Sequence, residues 1–291
     1  MREPPIHDRM NYRHAFHAGN FADVFKHTLL LGLLDALEAK ATPFCYVDTH
    51  AGRGRYDLGS AEAAKTGEHA QGIGRLLDAR GLPAALARYV DAVRAFGARE
   101  DGALLHYPGS PLIAAQAMRE QDRAIVCEMH PDEAAALRGA LRGDARFAVH
   151  CRDGYEALKA LLPPAQKRGL VLIDPPFEAQ GGEFTHIERA LAGALARWPT
   201  ATFAIWYPVK QRIAIAPFHR WLQAHAPAGV LVAELMLHPE NSPLRLNGCG
   251  LAIANPPWRF DAAVHEWLPP LAHLLAQGAG GGSRLEWLKA A

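Results

Sequence analysis

The sequence predicts a doubly wound α/β fold: a sheet of seven mostly parallel strands with helices packed on both faces. Three observations predict it. Short runs that are apolar on both faces recur along the chain. Helical stretches separate them, as crossovers between parallel strands require. The first run ends in a glycine turn, where such sheets bind ligands outside the carboxyl ends of their strands. The runs are Phe44–Asp48, Ala124–Glu128, Phe147–His150, Leu170–Asp174, Thr202–Tyr207, Val230–Leu237 and Gly250–Ala254.

Taken in order, residues 1–20 form an N-terminal segment. Asn20 is the predicted N-cap of a helix from Phe21 to about Lys40, in which Phe21, Phe25, Leu29, Gly32 and Leu33 keep helical spacing. Between the first and second strands lie about 75 residues, where an ordinary crossover needs only ~10–20. Tyr56 to about Pro108 is therefore expected to be a helical insertion, with Leu76–Phe96 broken at Gly81-Leu82-Pro83. It closes at Ser110-Pro111, an N-cap followed by proline at the first helical position. The main domain is expected to run over 21–277, and Gly278–Gly282 to be a flexible joint to a tail ending at 291.

Composition narrows the function. The 291 residues are 49% hydrophobic and 21% charged, enough chain for a substantial core. Thirty-one Lys and Arg against 30 Asp and Glu leave a net charge of +1, so a protein that coats nucleic acid non-specifically is excluded and any nucleic-acid contact must be a local patch. Met1-Arg2-Glu3-Pro4-Pro5 is followed by no apolar core, and Leu29–Leu34 is closed by Asp35, far short of the ~20 residues of a membrane span. Cys45, Cys127, Cys151 and Cys249 are widely separated, with no C-x-x-C pair. They are expected to be reduced and buried, in a cytoplasmic protein.

The first strand runs into Asp48-Thr49-His50-Ala51-Gly52-Arg53-Gly54, but Asp57 stands where a dinucleotide loop has its third glycine. A cofactor without phosphates, such as S-adenosylmethionine, suits the turn better than a pyrophosphate does; a purely structural turn is the other reading. Glu128 closes the second strand, where a carboxylate can accept both hydroxyls of a ribose. Asp153-Gly154 follows the third, placed to accept from an adenine amine. Glu128 as a helix cap and Asp153-Gly154 as an ordinary turn pair are the structural alternatives.

The sharpest signal is Leu170-Val171-Leu172-Ile173-Asp174-Pro175-Pro176-Phe177. Two prolines remove two backbone donors and fix an extended turn whose carbonyls, with the Asp174 carboxylate, form an acceptor surface. The exocyclic amine of a base needs such a surface. Its lone pair is delocalised into the ring, and two acceptors gripping both N–H bonds free it for attack on a methyl sulfonium. Asp174 can also take the departing proton. Phe177 offers a face for stacking an extruded base, worth ~1–3 kcal/mol. The second diproline, Asn255-Pro256-Pro257-Trp258, carries an amide that accepts no proton, and it is expected to be structural. Arg13, Arg53 and Arg55 are candidates for phosphate contacts or simply solvated arginines.

Taken together, Tyr12-Arg13-His14-Ala15-Phe16-His17-Ala18-Gly19-Asn20, Lys26-His27, Asp48–Gly52, Tyr107-Pro108-Gly109-Ser110-Pro111, Arg168-Gly169-Leu170, Asp174-Pro175-Pro176 and Trp206-Tyr207-Pro208-Val209 resemble the RlmJ family. Its members are bacterial methyltransferases acting on an adenine amine of large-subunit (23S) ribosomal RNA. The resemblance runs from Tyr12 to Trp258. It implies a Rossmann-like class I methyltransferase fold that uses S-adenosyl-L-methionine, yields S-adenosyl-L-homocysteine and needs no metal. It also implies that His27, His50, Ser110, Glu128, Asp153, Gly154 and Asp174 line the cofactor site with Lys26 nearby. On the same ground Asp174 is the proton acceptor and Tyr12 an RNA contact. The family often carries Tyr where Phe177 stands, and its usual start corresponds to Met10. Protein-free RNA is the expected substrate and a monomer the expected state. Alternatives left open are a DNA adenine or ribosomal RNA guanine methyltransferase and a non-catalytic RNA-binding or assembly factor.

Overall fold

A computed structural model describes residues 14–177, 180–239, 242, 246–278 and 280–290. Met10, Tyr12 and Arg13 lie outside the described residues.

Among the described residues a single 3-10 turn (His14–Phe16) precedes helix α1 (Phe21–Glu38), which is followed by β1 (Phe44–Asp48). The long excursion after β1 holds a short strand β2 (Arg55–Asp57), helices α2 (Ala61–Thr66), α3 (Glu68–Gln71), α4 (Ile73–Leu77) and α5 (Ala84–Gly97), and β3 (His106–Pro108). Strands β2 and β3 pair with each other, outside the main sheet. Alternation then resumes with α6 (Ser110–Ala117), β4 (Arg123–Glu128), α7 (Pro131–Ala140), β5 (Phe147–Cys151), α8 (Gly154–Leu161), β6 (Arg168–Ile173), α9 (Gln180–Arg197), β7 (Thr202–Val209), α10 (Arg212–His225) and β8 (Val230–Met236). Strand β9 (Gly248–Ala254), α11 (Phe260–Leu275) and β10 (Gly282–Lys289) complete the fold.

The main sheet runs β10-β8-β9-β7-β6-β1-β4-β5. All seven expected strands are in it, and β10 is an eighth. Strands β6, β1, β4 and β5 are parallel to one another and β7 is parallel to β6, whereas β9 runs antiparallel to β7 and β8, and β10 antiparallel to β8. The chain leaves β1 outward to β4 and β5, then crosses back to β6 on the other side of β1. That reversal is the switch point at which open sheets bind ligands.

Strand β1 shows why both faces read as apolar. Phe44 and Tyr46 face the core shared with α1, α5, α6 and α11; Cys45 and Val47 face the core shared with α8, α9 and α10. Asn20 caps α1 as expected, its side-chain oxygen accepting from the N–H groups of Ala22 and Asp23. Ser110 does not cap α6: Gly109 does, with Ser110 the first helical residue, because the Ser110 hydroxyl is turned inward to a buried carboxylate. Cys45, Cys127 and Cys249 are buried free thiols, but Cys151 is exposed, since it ends the edge strand β5. No helix among the described residues is long and apolar enough to cross a membrane.

Candidate active site

A cavity of about 1250 Å³ opens at the carboxyl ends of the parallel strands. The loops after β1, β4, β5 and β6 line it, together with Lys26 and His27 of α1, Ser110 of α6, and Trp206 and Pro208 of β7. His27, His50, Ser110, Glu128, Asp153, Gly154, Asp174 and Phe177 all lie on its wall.

The glycine turn is held by the strand-tip carboxylate beside it. Gly52, at φ +60°, donates its N–H to Glu128 Oε2 at 2.9 Å, and His130 N–H donates to Oε1 at 2.8 Å. A side chain at Gly52 would meet the Tyr56 hydroxyl at 2.3 Å. Burial pushes the Glu128 carboxyl up while the two backbone donors pull it down; the net shift is upward. Glu128 is not the cap of α7; that role falls to His130. Asp153 does cap α8, its Oδ1 accepting from Tyr155 N–H at 2.7 Å and Glu156 N–H at 3.1 Å. A Cβ on Gly154 would sit 2.1 Å from the Thr49 carbonyl oxygen, so only glycine lets the start of α8 touch the loop after β1.

Asp48 is completely buried at the end of β1. The Tyr46 and Ser110 hydroxyls both donate to its Oδ2 at 2.7 Å. Burial pushes its carboxyl up to about 6, although both hydroxyls favour the ionised form. Next along, Thr49 Oγ1 donates to the Leu172 carbonyl at 3.0 Å and lies 2.8 Å from His50 Nδ1. The hydroxyl has one proton, so it accepts from Nδ1–H and leaves Nε2 of His50 bare. Burial pushes His50 down to about 4 and His27 to about 3, so both rings are neutral near pH 7.

Asp174 follows β6 directly, and Lys26 Nζ donates to its Oδ2 at 2.5 Å. Lys26 also lies 3.0 Å from Asp23 Oδ1, and His14 Nε2 lies 2.9 Å from Asp23 Oδ2. Burial alone would lower the lysine, but Asp174 and Asp23 outweigh it and hold the ammonium well above its usual range. Burial would likewise raise Asp23, yet His14 and Lys26 drive it well below the ordinary carboxylate range. Phe177 adopts φ 46° and is almost covered, its ring meeting Phe184 and Trp206 edge-on at centroid distances of 5.2 and 5.8 Å.

Sequence reasoning missed Asp23 as a site group and gave no partner for Lys26. The available signal was a charged pair at i, i+3 in a helix whose other positions here are almost wholly apolar. Arg53 is engaged by Glu133 through Nε and Nη2, both at 2.8 Å, and Arg55 by His106. The Asn255 diproline lies at the opposite end of the strands: Asn255 N–H donates to Gly229 O before β8, and its amide donates to Ala201 O before β7. Strand β9 runs antiparallel to β7, which carries this turn to the end of the sheet where β7 and β8 begin, away from the cavity. Among the described residues no group of three or more His, Cys, Asp or Glu is disposed to hold a metal ion.

A switch-point sheet with a glycine turn after its central strand, a carboxylate at the next strand tip and an Asp-Pro-Pro-Phe turn across the cleft defines a Rossmann-like class I methyltransferase. Residues 41–289 match the model of the family described as "Ribosomal RNA large subunit methyltransferase D, RlmJ". The chain is 41% identical over 281 residues to ribosomal RNA large subunit methyltransferase J of Haemophilus influenzae, covering 96% of this chain and 99% of that one. It is 39% identical over 279 residues to the Escherichia coli protein of the same name, with the same coverage. A crystal structure of a Legionella pneumophila protein is similar at 34% identity and a TM-score of 0.83, over 94% of this chain and 99% of that one. The chain belongs to the RlmJ family of ribosomal RNA large subunit methyltransferases.

Proposed function

We propose that this enzyme methylates the N6 amine of an adenine in 23S ribosomal RNA, using S-adenosyl-L-methionine, with Asp174 accepting the proton. The observation that carries the reading is the placement of the Asp174-Pro175-Pro176-Phe177 turn beside the glycine turn in one cavity. The residues fit that cofactor. The turn has no third glycine, Arg53 is spent on Glu133, and the Glu128 carboxylate is aligned by two backbone N–H groups with lone pairs left for a diol. His27, His50, Ser110, Glu128, Asp153 and Gly154 would hold it, and S-adenosyl-L-methionine, when bound, supplies an electrophilic methyl group.

The chain's own residues handle the amine and its proton. Asp174 and the diproline carbonyls accept the two N–H bonds, which frees the nitrogen lone pair for bond formation. As the nitrogen becomes positive, one N–H proton passes to the Asp174 carboxylate. Lys26 donates to Asp174 Oδ2 and holds the carboxylate in place, and its positive charge disfavours a lingering ammonium beside it. The burial of Lys26 and Asp23 strengthens these interactions. Tyr12 belongs to this reading as an RNA contact; the nearly covered Phe177 ring, packed against Phe184 and Trp206, fixes the turn and offers no open face for stacking. Protein-free RNA in the cytoplasm, met by a monomer, completes it.

The test is transfer of labelled methyl from S-adenosyl-L-methionine to protein-free 23S ribosomal RNA, with nucleoside analysis of the product. N6-methyladenosine is expected from the wild type, with the rate at least ~100-fold lower in Asp174→Ala. Label in a guanine or in DNA, or an Asp174→Ala rate equal to wild type, would overturn the reading.

A further inference from the structure

The helical insertion reaches the cavity wall through three side chains in a row. Tyr89 of α5 and Tyr107 of β3 are fully buried, and their hydroxyl oxygens are 2.7 Å apart. The Tyr107 hydroxyl is 2.8 Å from Nδ1 of His27, whose ring stacks on the Tyr107 ring at 5.7 Å. Two hydroxyl protons and one imidazole proton must be distributed along this row, because burial pushes His27 down to about 3 and leaves its ring neutral.

Counting donors decides how. With the ring proton on Nδ1, His27 would donate to Tyr107 and Tyr107 to Tyr89. The Tyr89 hydroxyl has no further partner among the described residues, so its proton would be stranded in the core, unbonded and cut off from water. The bare lone pair of Nε2 would also face Asp23 Oδ1, 4.0 Å away, a carboxylate held ionised by its neighbours. Reversing the order removes both faults. Tyr89 donates to Tyr107, Tyr107 donates to Nδ1, and the ring proton sits on Nε2, too far from Asp23 for a hydrogen bond and so left for a ligand in the cavity that His27 lines.

We infer that Tyr107, backed by Tyr89, is a positioning residue that locks His27 as the Nε2–H tautomer, so that it presents one neutral donor to the carboxylate at the amino-acid end of the cofactor. The inference rests on the S-adenosyl-L-methionine reading above. Glu128 marks the ribose position on the β4 side of β1, and His27 approaches from α1, across the cleft. The insertion thus sets the protonation pattern of a residue in the cofactor site as well as packing against α1.

The experiment compares wild type, Tyr107→Phe and Tyr89→Phe. Calorimetry measures binding of S-adenosylhomocysteine and of 5′-methylthioadenosine, which lacks the amino-acid end. Long-range proton–nitrogen spectra, assigned by the signal missing in His27→Gln, report the His27 tautomer. Tyr107→Phe is expected to weaken S-adenosylhomocysteine about tenfold, leave 5′-methylthioadenosine within about twofold, and release the tautomer to a mixture. Tyr89→Phe keeps the bond to Nδ1, so it retains the Nε2–H form and loses less affinity. Equal losses for both ligands, or an unchanged tautomer in Tyr107→Phe, would overturn the inference. An Nδ1–H signal in the wild type overturns it even where Tyr107→Phe does not fold. Failure of the wild type to bind S-adenosylhomocysteine removes the cofactor reading itself, a distinct result.

Discussion

Asp48 and Asp174 stand at the ends of neighbouring strands, β1 and β6, in opposite settings. Asp174 has the Lys26 ammonium at 2.5 Å, whereas Asp48 is met only by neutral donors. Burial therefore raises Asp48 to about 6 from an ordinary 3.8. A carboxyl raised in the folded state binds its proton more tightly there than in the unfolded chain. Its stabilising contribution is thus complete below about pH 4 and lost as pH rises through 6. Between pH 4 and pH 7.5, urea unfolding should show Asp48→Asn gaining about 2 kcal/mol on the wild type; a difference constant with pH would refute the assignment. The enzyme tolerates that cost because ionised Asp48 is the acceptor that turns the Ser110 hydroxyl inward. At this scale the sequence revealed groups borne on consecutive residues of a strand end. Asp174 was legible because Pro175, Pro176 and Phe177 follow it. Lys26 gained no partner because its two carboxylates come from one helical turn away and from the far side of β1, a meeting only the tertiary fold creates.

Among elements, strands apolar on both faces were legible, and the short β2 and β3 and the edge strand β10 were missed. Strand β10 alternates charged and apolar residues, Arg284-Leu285-Glu286-Trp287-Leu288, after a glycine run, and its pattern is that of a half-exposed edge. It was expected to be part of a tail; in the structure it pairs along β8 from Gly282↔Met236 to Lys289↔Val230. Two features make that pairing more than a cover. Trp287 donates its indole N–H to Asp261 of α11 at 3.0 Å, and Arg284 lies 3.6 Å from the fully buried Glu234 of β8. Glu234 also accepts from Arg212 at 2.6 Å and from Tyr207 at 3.0 Å. Ending the chain at Gly278 would leave Glu234 with less compensating charge and expose the β8 edge. The truncated protein should melt at least about 10 °C lower and associate on a sizing column. Unchanged melting and a single unassociated species would show that β10 is dispensable.

For the whole molecule, the charge balance seen in composition has a structural counterpart in where the cations are spent. Arg119 is held by Asp122 and by the carbonyls of Glu38 and Lys40. Arg168 donates to the carbonyls of Thr42 and Leu37, and Arg146 to Asp144, Met118 and Ala115. Arg53 and Arg88 are engaged by Glu133 and Asp35. Much of the arginine complement thus ties α1, α6 and the strand ends together and is not displayed to a polyanion. A net charge of +1 with arginines so committed fits an enzyme that draws one splayed nucleotide into a cleft and grips few phosphates around it. Binding to a ribosomal RNA hairpin should therefore weaken only gently with salt. Contact with about three to five phosphates gives a slope of log K against log salt of about −2 to −4. Fluorescence anisotropy with a labelled hairpin, titrated across salt concentrations, measures it directly. A slope steeper than about −6 would require a broad cationic surface and would mean that the RNA is held chiefly by its backbone, with the cleft contributing little to affinity.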